Sequence, residues 1–119
     1  MNTTCHGDLS NAELNKILHK QIELLKKMGV DSITVSTPYL MEFIKMNYPE
    51  IKVVASINMC ASSISQTLQL KEMGARRIVL DRNINRNLQL LKDIKASCDT
   101  DFELLANSLC LPFCIMHQY

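Results

Sequence analysis

The residues most suited to chemistry lie near the C-terminal end of the sequence. Cys110 and Cys114 stand at C-x-x-x-C spacing with Pro112 between them and His117 just beyond. They follow an apolar stretch, Phe102 to Ala106, that reads as a strand, and a polar turn at Asn107-Ser108. Strands of α/β proteins deliver their C-terminal ends to the rim where such proteins bind ligands. Paired thiolates on a proline-containing loop at that rim suit a soft metal or an iron–sulfur cluster. The competing reading is two buried cysteines that pack as small hydrophobes.

Other candidates follow from position. Cys5 and His6 precede the first helical pattern, Cys60 follows a strand, and Cys98 falls near a helix end. Asp81, Asn83, Glu103 and Asn107 lie at or near strand ends, where a substrate would be reached. The alternative for these four is turn chemistry, which Asp and Asn favour. Several reactions lack their signatures. There is no G-x-S-x-G elbow, no H-E-x-x-H zinc motif and no glycine-rich phosphate loop, with only three glycines in the sequence.

Positioning these residues falls to alternating helices and strands. Ser10 and Glu13 form a capping box before a helix carrying Leu14, Ile17, Leu18, Leu25 and Met28, and Gly29 is placed to stop it. Ile33-Thr34-Val35 is a short strand. Ser36 and Thr37 cap the next helix, with Pro38 at its first position and Leu40, Phe43, Ile44 and Tyr48 on its buried face. Ile51–Ile57 is the second strand, apolar enough to be covered on both faces. Ser63 and Gln66 open a helix through Leu68 and Leu70 to Met73, and Gly74 ends it. Ile78-Val79-Leu80 is the third strand. A helix from about Arg86, with Leu88, Leu91 and Ile94 on one face, precedes the fourth. Lys16, Lys20, Lys26 and Lys27 read as a solvated face.

This alternation predicts the α/β class, with parallel pairing and right-handed crossovers. Four strands are too few for an eight-stranded barrel, which needs about 250 residues. The expectation is one partial domain over residues 1–119, about half of a (β/α) barrel, whose open sheet a second copy of the chain would cover. The net charge of +1 gives no electrostatic case for nucleic acid or an anionic membrane. No apolar run approaches the roughly 18 residues of a membrane span, and the first residues do not open like a signal peptide. A cytoplasmic location is therefore expected, and five cysteines there predict thiols or metal-bound thiolates over disulfides.

Three blocks carry a resemblance. Gly29-Val-Asp-Ser-Ile-Thr-Val-Ser-Thr-Pro-Tyr-Leu-Met-Glu-Phe-Ile44, Gly74-Ala-Arg-Arg-Ile-Val-Leu-Asp-Arg-Asn-Ile-Asn85 and Glu103-Leu-Leu-Ala-Asn-Ser-Leu-Cys110 resemble the collagenase-like peptidase family, peptidase family U thirty-two. The resemblance implies a (β/α) barrel, of which this chain looks like an internal piece. It implies either peptidase activity or oxygen-independent hydroxylation of a small aromatic or RNA substrate. In the hydroxylation branch it implies a four-iron four-sulfur cluster, for which Cys5, Cys110 and Cys114 resemble the ligands. Many peptidase members carry an Arg-Glu pair where this sequence has Asp81-Arg82-Asn83, a departure from the peptidase pattern. A remnant without catalysis, or an oligomeric module, is the reading from a different class.

Overall fold

A computed structural model describes residues 11–107 of the chain. Helix α1 (Asn11–Lys27) leads into β1 (Ser32–Val35), and α2 (Pro38–Asn47) into β2 (Lys52–Ala55). Helix α3 (Ile64–Glu72) leads into β3 (Ala75–Val79), and α4 (Leu88–Ser97) into β4 (Asp101–Glu103). All strand pairs are parallel, and the strands neighbour one another in chain order, β1-β2-β3-β4. The protein is α/β, as the alternation predicts. Among the described residues strand order never reverses, so these four strands form no switch point of a doubly wound fold.

Local chemistry explains the element ends. Gly29 takes φ 78°, its N–H donates to Lys26 O at 3.0 Å, and the Val30 N–H donates to Leu25 O at 3.2 Å. Together these satisfy two terminal carbonyls of α1 in a Schellman arrangement. Gly74 does the corresponding work after α3 at φ 104°, with its N–H on Lys71 O. At the start of α3 the Ser63 hydroxyl accepts from Gln66 N, while Gln66 Oε1 accepts from Ser62 N at 2.9 Å. The capping box is therefore present but shifted by one residue on its return arm.

One apolar cluster joins Leu14, Leu18 and Ile22 of α1, Leu40, Phe43 and Ile44 of α2, Leu70 of α3 and Ile94 of α4 to Ile33, Val35, Val53, Ala55, Ala75 and Ile78 of the strands. All four helices thus pack on one face of the sheet, as same-handed crossovers between consecutive neighbours require. Strand side chains alternate, so the opposite face carries Ser32, Thr34, Lys52, Val54, Arg77, Val79, Asp101 and Glu103. No helix among the described residues covers that face.

Some boundaries differ from expectation. Strand β2 ends at Ala55, because the Ser56 hydroxyl accepts from Asn58 N at 3.3 Å and turns Ile57–Met59 into a 3-10 turn. Strand β3 begins at Ala75, earlier than its apolar residues suggest. The register shifts between Val53 and Val54, which face Ala75 and Arg77, and the unmatched Arg76 hides the alternation. Helix α4 starts at Leu88, with the Asn87 side chain accepting from Leu90 N. Leu88 is 67% exposed, and Leu68 on α3 is exposed while Thr67 beside it is buried. Strand β4 stops at Glu103, since Leu80 N takes Glu103 O and Asp81 N then turns to Ala61 O.

Candidate functional site

The C-terminal ends of the four strands define one rim. At β1 the chain passes through Ser36 and Thr37 into α2, and the hydroxyl oxygens of both are buried without a hydrogen-bond partner. Thr37 has the extended backbone of an N-cap, yet its side chain makes no capping bond. After β2 come Ser56, Asn58 and Cys60. Cys60 is exposed, takes φ 51°, and places Sγ 3.7 Å from Asn58 O. After β3, Asp81 Oδ1 accepts from Asn83 N at 2.7 Å and opens the 3-10 turn Arg82–Ile84. Asn85 then reaches across to the segment beyond β4, where its Nδ2 donates to Leu105 O at 2.8 Å. Its Oδ1 is buried without a partner.

Buried polar atoms are nearly always hydrogen-bonded, and exceptions call for a physical reason. Ser36, Thr37 and Asn85 hold all three such side-chain atoms found among the described residues, and each follows the end of a strand. In the sequence the first two read as helix caps. Asn85 gave no signal, because its partner is 20 residues away.

The structure separates the candidates read from sequence. Asp81 and Asn83 sit together on the rim, with the Asp81 carboxylate engaged in the turn. Glu103 is the last residue of β4 and lies on the helix-free face, its Oε2 3.9 Å from Arg77 Nη1. Both members of that pair are about half exposed, so the attraction is screened. Asn107 is exposed beyond β4. Cys98 is buried between α3 and α4, with Sγ 3.9 Å from Thr67 O, on the helix side of the sheet. Cys5, Cys110 and Cys114, with His6 and His117, lie outside the described residues. Among the described residues no group of three or more His, Cys, Asp or Glu side chains is placed to hold a metal ion.

Two grooves follow the sheet edges instead of the rim. One of about 460 Å³ is lined by Arg77, Lys95, Asp101, Phe102 and Glu103 at β4. The other, about 540 Å³, runs along β1 beside Leu24, Leu25 and Val30. The shifted titrations are also remote from the rim. Lys26 Nζ stands 2.6 Å from Glu50 Oε1, and the hydrogen bond raises the lysine pKa and lowers that of the carboxyl. Burial, then Glu23, raises the Tyr48 phenol.

The model of peptidase family U32 matches residues 1–114. The chain belongs to peptidase family U32. The U32 match runs through Cys5, Cys110 and Cys114. An uncharacterized protease of Methanocaldococcus jannaschii is 34% identical over 92 residues, which is 77% of this chain and 27% of that protein. A solved structure of a U32 peptidase shares the fold with a TM-score of 0.75 at 24% identity, covering 87% of this chain and 42% of that one. The chain therefore spans less than half the length of either U32 relative. No helix of the described residues is long and apolar enough to cross a membrane.

Proposed function

We propose that the chain is the rim-building part of a U32 enzyme that binds a four-iron four-sulfur cluster, with Cys110, Cys114 and Cys5 as three of its four ligands. Its reaction is oxygen-independent hydroxylation of a small aromatic or RNA substrate. The buried, unpartnered polar atoms of Ser36, Thr37 and Asn85 behind the strand ends support this rim as the place of a ligand; the cluster and the reaction rest on the cysteines and on the family resemblance. The donor chemistry fits a cluster: thiolates are strong iron ligands, and Cys110 and Cys114 come next in sequence as the chain leaves β4 on this rim. When bound, a cluster supplies one-electron chemistry.

The remaining roles belong to side chains of the rim. Asn83 and Asn107, both exposed, offer an amide donor and an acceptor each to a bound substrate. Asp81 fixes the turn that presents Asn83. Glu103, beside Arg77, offers a carboxylate whose charge is partly balanced.

Peptide cleavage is the second reading, favoured by the description of the M. jannaschii relative as a protease. Anaerobic reconstitution with iron and sulfide separates the two. The cluster reading expects broad visible absorption with bound iron and sulfide, lost in Cys110→Ser and Cys114→Ser. Both variants keeping full iron overturns the ligand assignment, whereas a colourless, iron-free chain means that these residues alone leave the four-ligand site incomplete. Cleavage of an unfolded protein substrate that persists after iron is removed establishes the peptidase reading in its place.

A further inference from the structure

The backbone ladder stops short of the segment that leads to Cys110 and Cys114. Leu80 N donates to Glu103 O at 2.9 Å, and Asp81 N then turns away to Ala61 O, so β3 parts from β4 after Glu103. Among the described residues no backbone hydrogen bond reaches Leu104–Asn107. Apolar burial does little there either. Leu104 is 45% exposed, Ala106 and Asn107 are exposed, and Leu105 is partly buried. The tie that remains comes from a side chain: Asn85 Nδ2 donates to Leu105 O at 2.8 Å.

Asn85 is itself well placed to act as an anchor. It closes the 3-10 turn after β3, with its N–H on Arg82 O at 3.3 Å and the Asn87 N–H on Ile84 O at 2.9 Å. Ile84 ties that turn to the apolar core. The carboxamide can point only one way, because a half-turn would set Oδ1 against the Leu105 carbonyl oxygen. An amide donor thus takes over at the place where the strand ladder ends, and satisfies a carbonyl that would otherwise need water. Cys110 comes five residues after Leu105, a reach of at most roughly 18 Å along the chain.

We infer that Asn85 is a positioning residue: its amide pins Leu105, and with it the start of the segment to Cys110 and Cys114, to the turn that carries Asp81 and Asn83. Both cysteines then depart from a fixed point on the rim, which lowers the chain entropy lost when they take up a ligand. The inference rests on the cluster reading for what the segment binds. The anchoring itself does not depend on iron.

Asn85→Asp separates an anchor from a residue that only fills space. The variant keeps the shape of the side chain, but an ionised carboxylate cannot donate to Leu105 O, whereas a protonated carboxyl can. Oδ1 is buried without a partner, so a carboxyl there titrates above its ordinary value of about 3.9. Heteronuclear NOEs of the Leu105–Asn107 amides are measured on the metal-free 119-residue chain through a pH series, with Asn85→Ala and Asn87→Asp alongside. The segment is expected to be ordered in the unaltered chain, loosened in Asn85→Ala at every pH, and loosened in Asn85→Asp only above the titration of its carboxyl. Asn87→Asp adds the same charge two residues on, keeps the cap of α4, and leaves the segment ordered. Chymotryptic cleavage after Leu104 or Leu105 rises in parallel by roughly two- to tenfold, the factor for one net hydrogen bond. An unchanged segment in Asn85→Asp, loosening that ignores pH, or equal loosening in Asn87→Asp overturns the inference. In the iron-reconstituted chain at neutral pH, Asn85→Asp gives up iron to a chelator faster by a similar factor. A loosened segment with unchanged iron release overturns the positioning of the cysteines and leaves their assignment as ligands standing. If the unaltered chain takes up no iron, that result bears on the cluster site, and the pH series still decides the anchor.

Discussion

Replacing Gly74 by alanine should cost clearly more than replacing Gly29, although both glycines end a helix at positive φ. At Gly29 (φ 78°) an added Cβ meets nothing within 4 Å, so the change tests backbone strain alone. A left-handed non-glycine residue costs roughly 1–2 kcal/mol, offset by roughly 0.4–1 kcal/mol from the stiffer unfolded chain. The expected loss is about 1 kcal/mol. At Gly74 (φ 104°) the new Cβ would stand 3.0 Å from Lys45 Cδ. The lysine stem must give by a few tenths of an ångström, which disturbs the 2.8 Å hydrogen bond that Lys45 Nζ donates to Glu72 O at the end of α3. That bond is exposed and contributes about 0.5–1.5 kcal/mol, and φ here lies further from the left-handed minimum near 57°. The total for Gly74→Ala is about 2–3 kcal/mol. Urea unfolding followed by circular dichroism measures both, and a cycle with Lys45→Ala isolates the contact. Equal losses for the two alanine variants, or no coupling to Lys45, would refute the reasoning. The result matters for the rim, because Gly74 leads directly into β3 and so sets the position of Arg77 and Asp81.

Three further outcomes follow from the geometry. Tyr48→Phe removes a hydroxyl that shares a 2.7 Å hydrogen bond with His19 Nδ1; a loss of about 1 kcal/mol is expected in urea unfolding, and an unchanged midpoint would show the bond to be idle. The Glu50 carboxyl is held below its ordinary 4.5 by Lys26. Its contribution to stability is therefore present above pH 4.5 and lost as pH falls through the lowered folded value, an acid limb that Glu50→Gln should flatten in a pH series of unfolding midpoints. Lys26 and Tyr48 act in the opposite sense: their raised values give stability that is full below 10.5 and 10.0 and lost as pH rises through the folded values. With thiol reagents and peptide mapping, exposed Cys60 should label in the folded chain and buried Cys98 only on unfolding; equal rates would contradict their placement.

Much of the fold was legible in the sequence because its signals are local. Gly29 and Gly74 stop helices through their own backbone freedom, Pro38 starts one because it has no N–H to lose, and Ser63 with Gln66 marks a helix start within a single turn. Helical periodicity was enough for Leu14 and Leu18 and for Leu25 against the core, but not for buried Ile22, and it wrongly included the exposed Ile17 and Met28; the alternation of elements fixes the α/β class. The three sequence blocks were enough for the family. Candidate rim residues were legible in part: Asp81 and Asn83 do follow β3, but as members of one turn.

Tertiary structure alone decided the rest. The Arg76 bulge swings Arg77 onto the helix-free face, and only the neighbouring strand then supplies Glu103 as its partner. Asn85 is held by a carbonyl 20 residues away, and the hydroxyls of Ser36 and Thr37 are orphaned where a cap was expected. Cys60 and Cys98 are chemically identical in the sequence, yet the crossovers leave one exposed at the rim and seal the other between two helices. Register, crossover hand and sheet edge are set by contacts between residues far apart in the chain. Capping, turns and periodicity are complete within a few residues, which is why the sequence by itself determined the elements and only their packing determined the site.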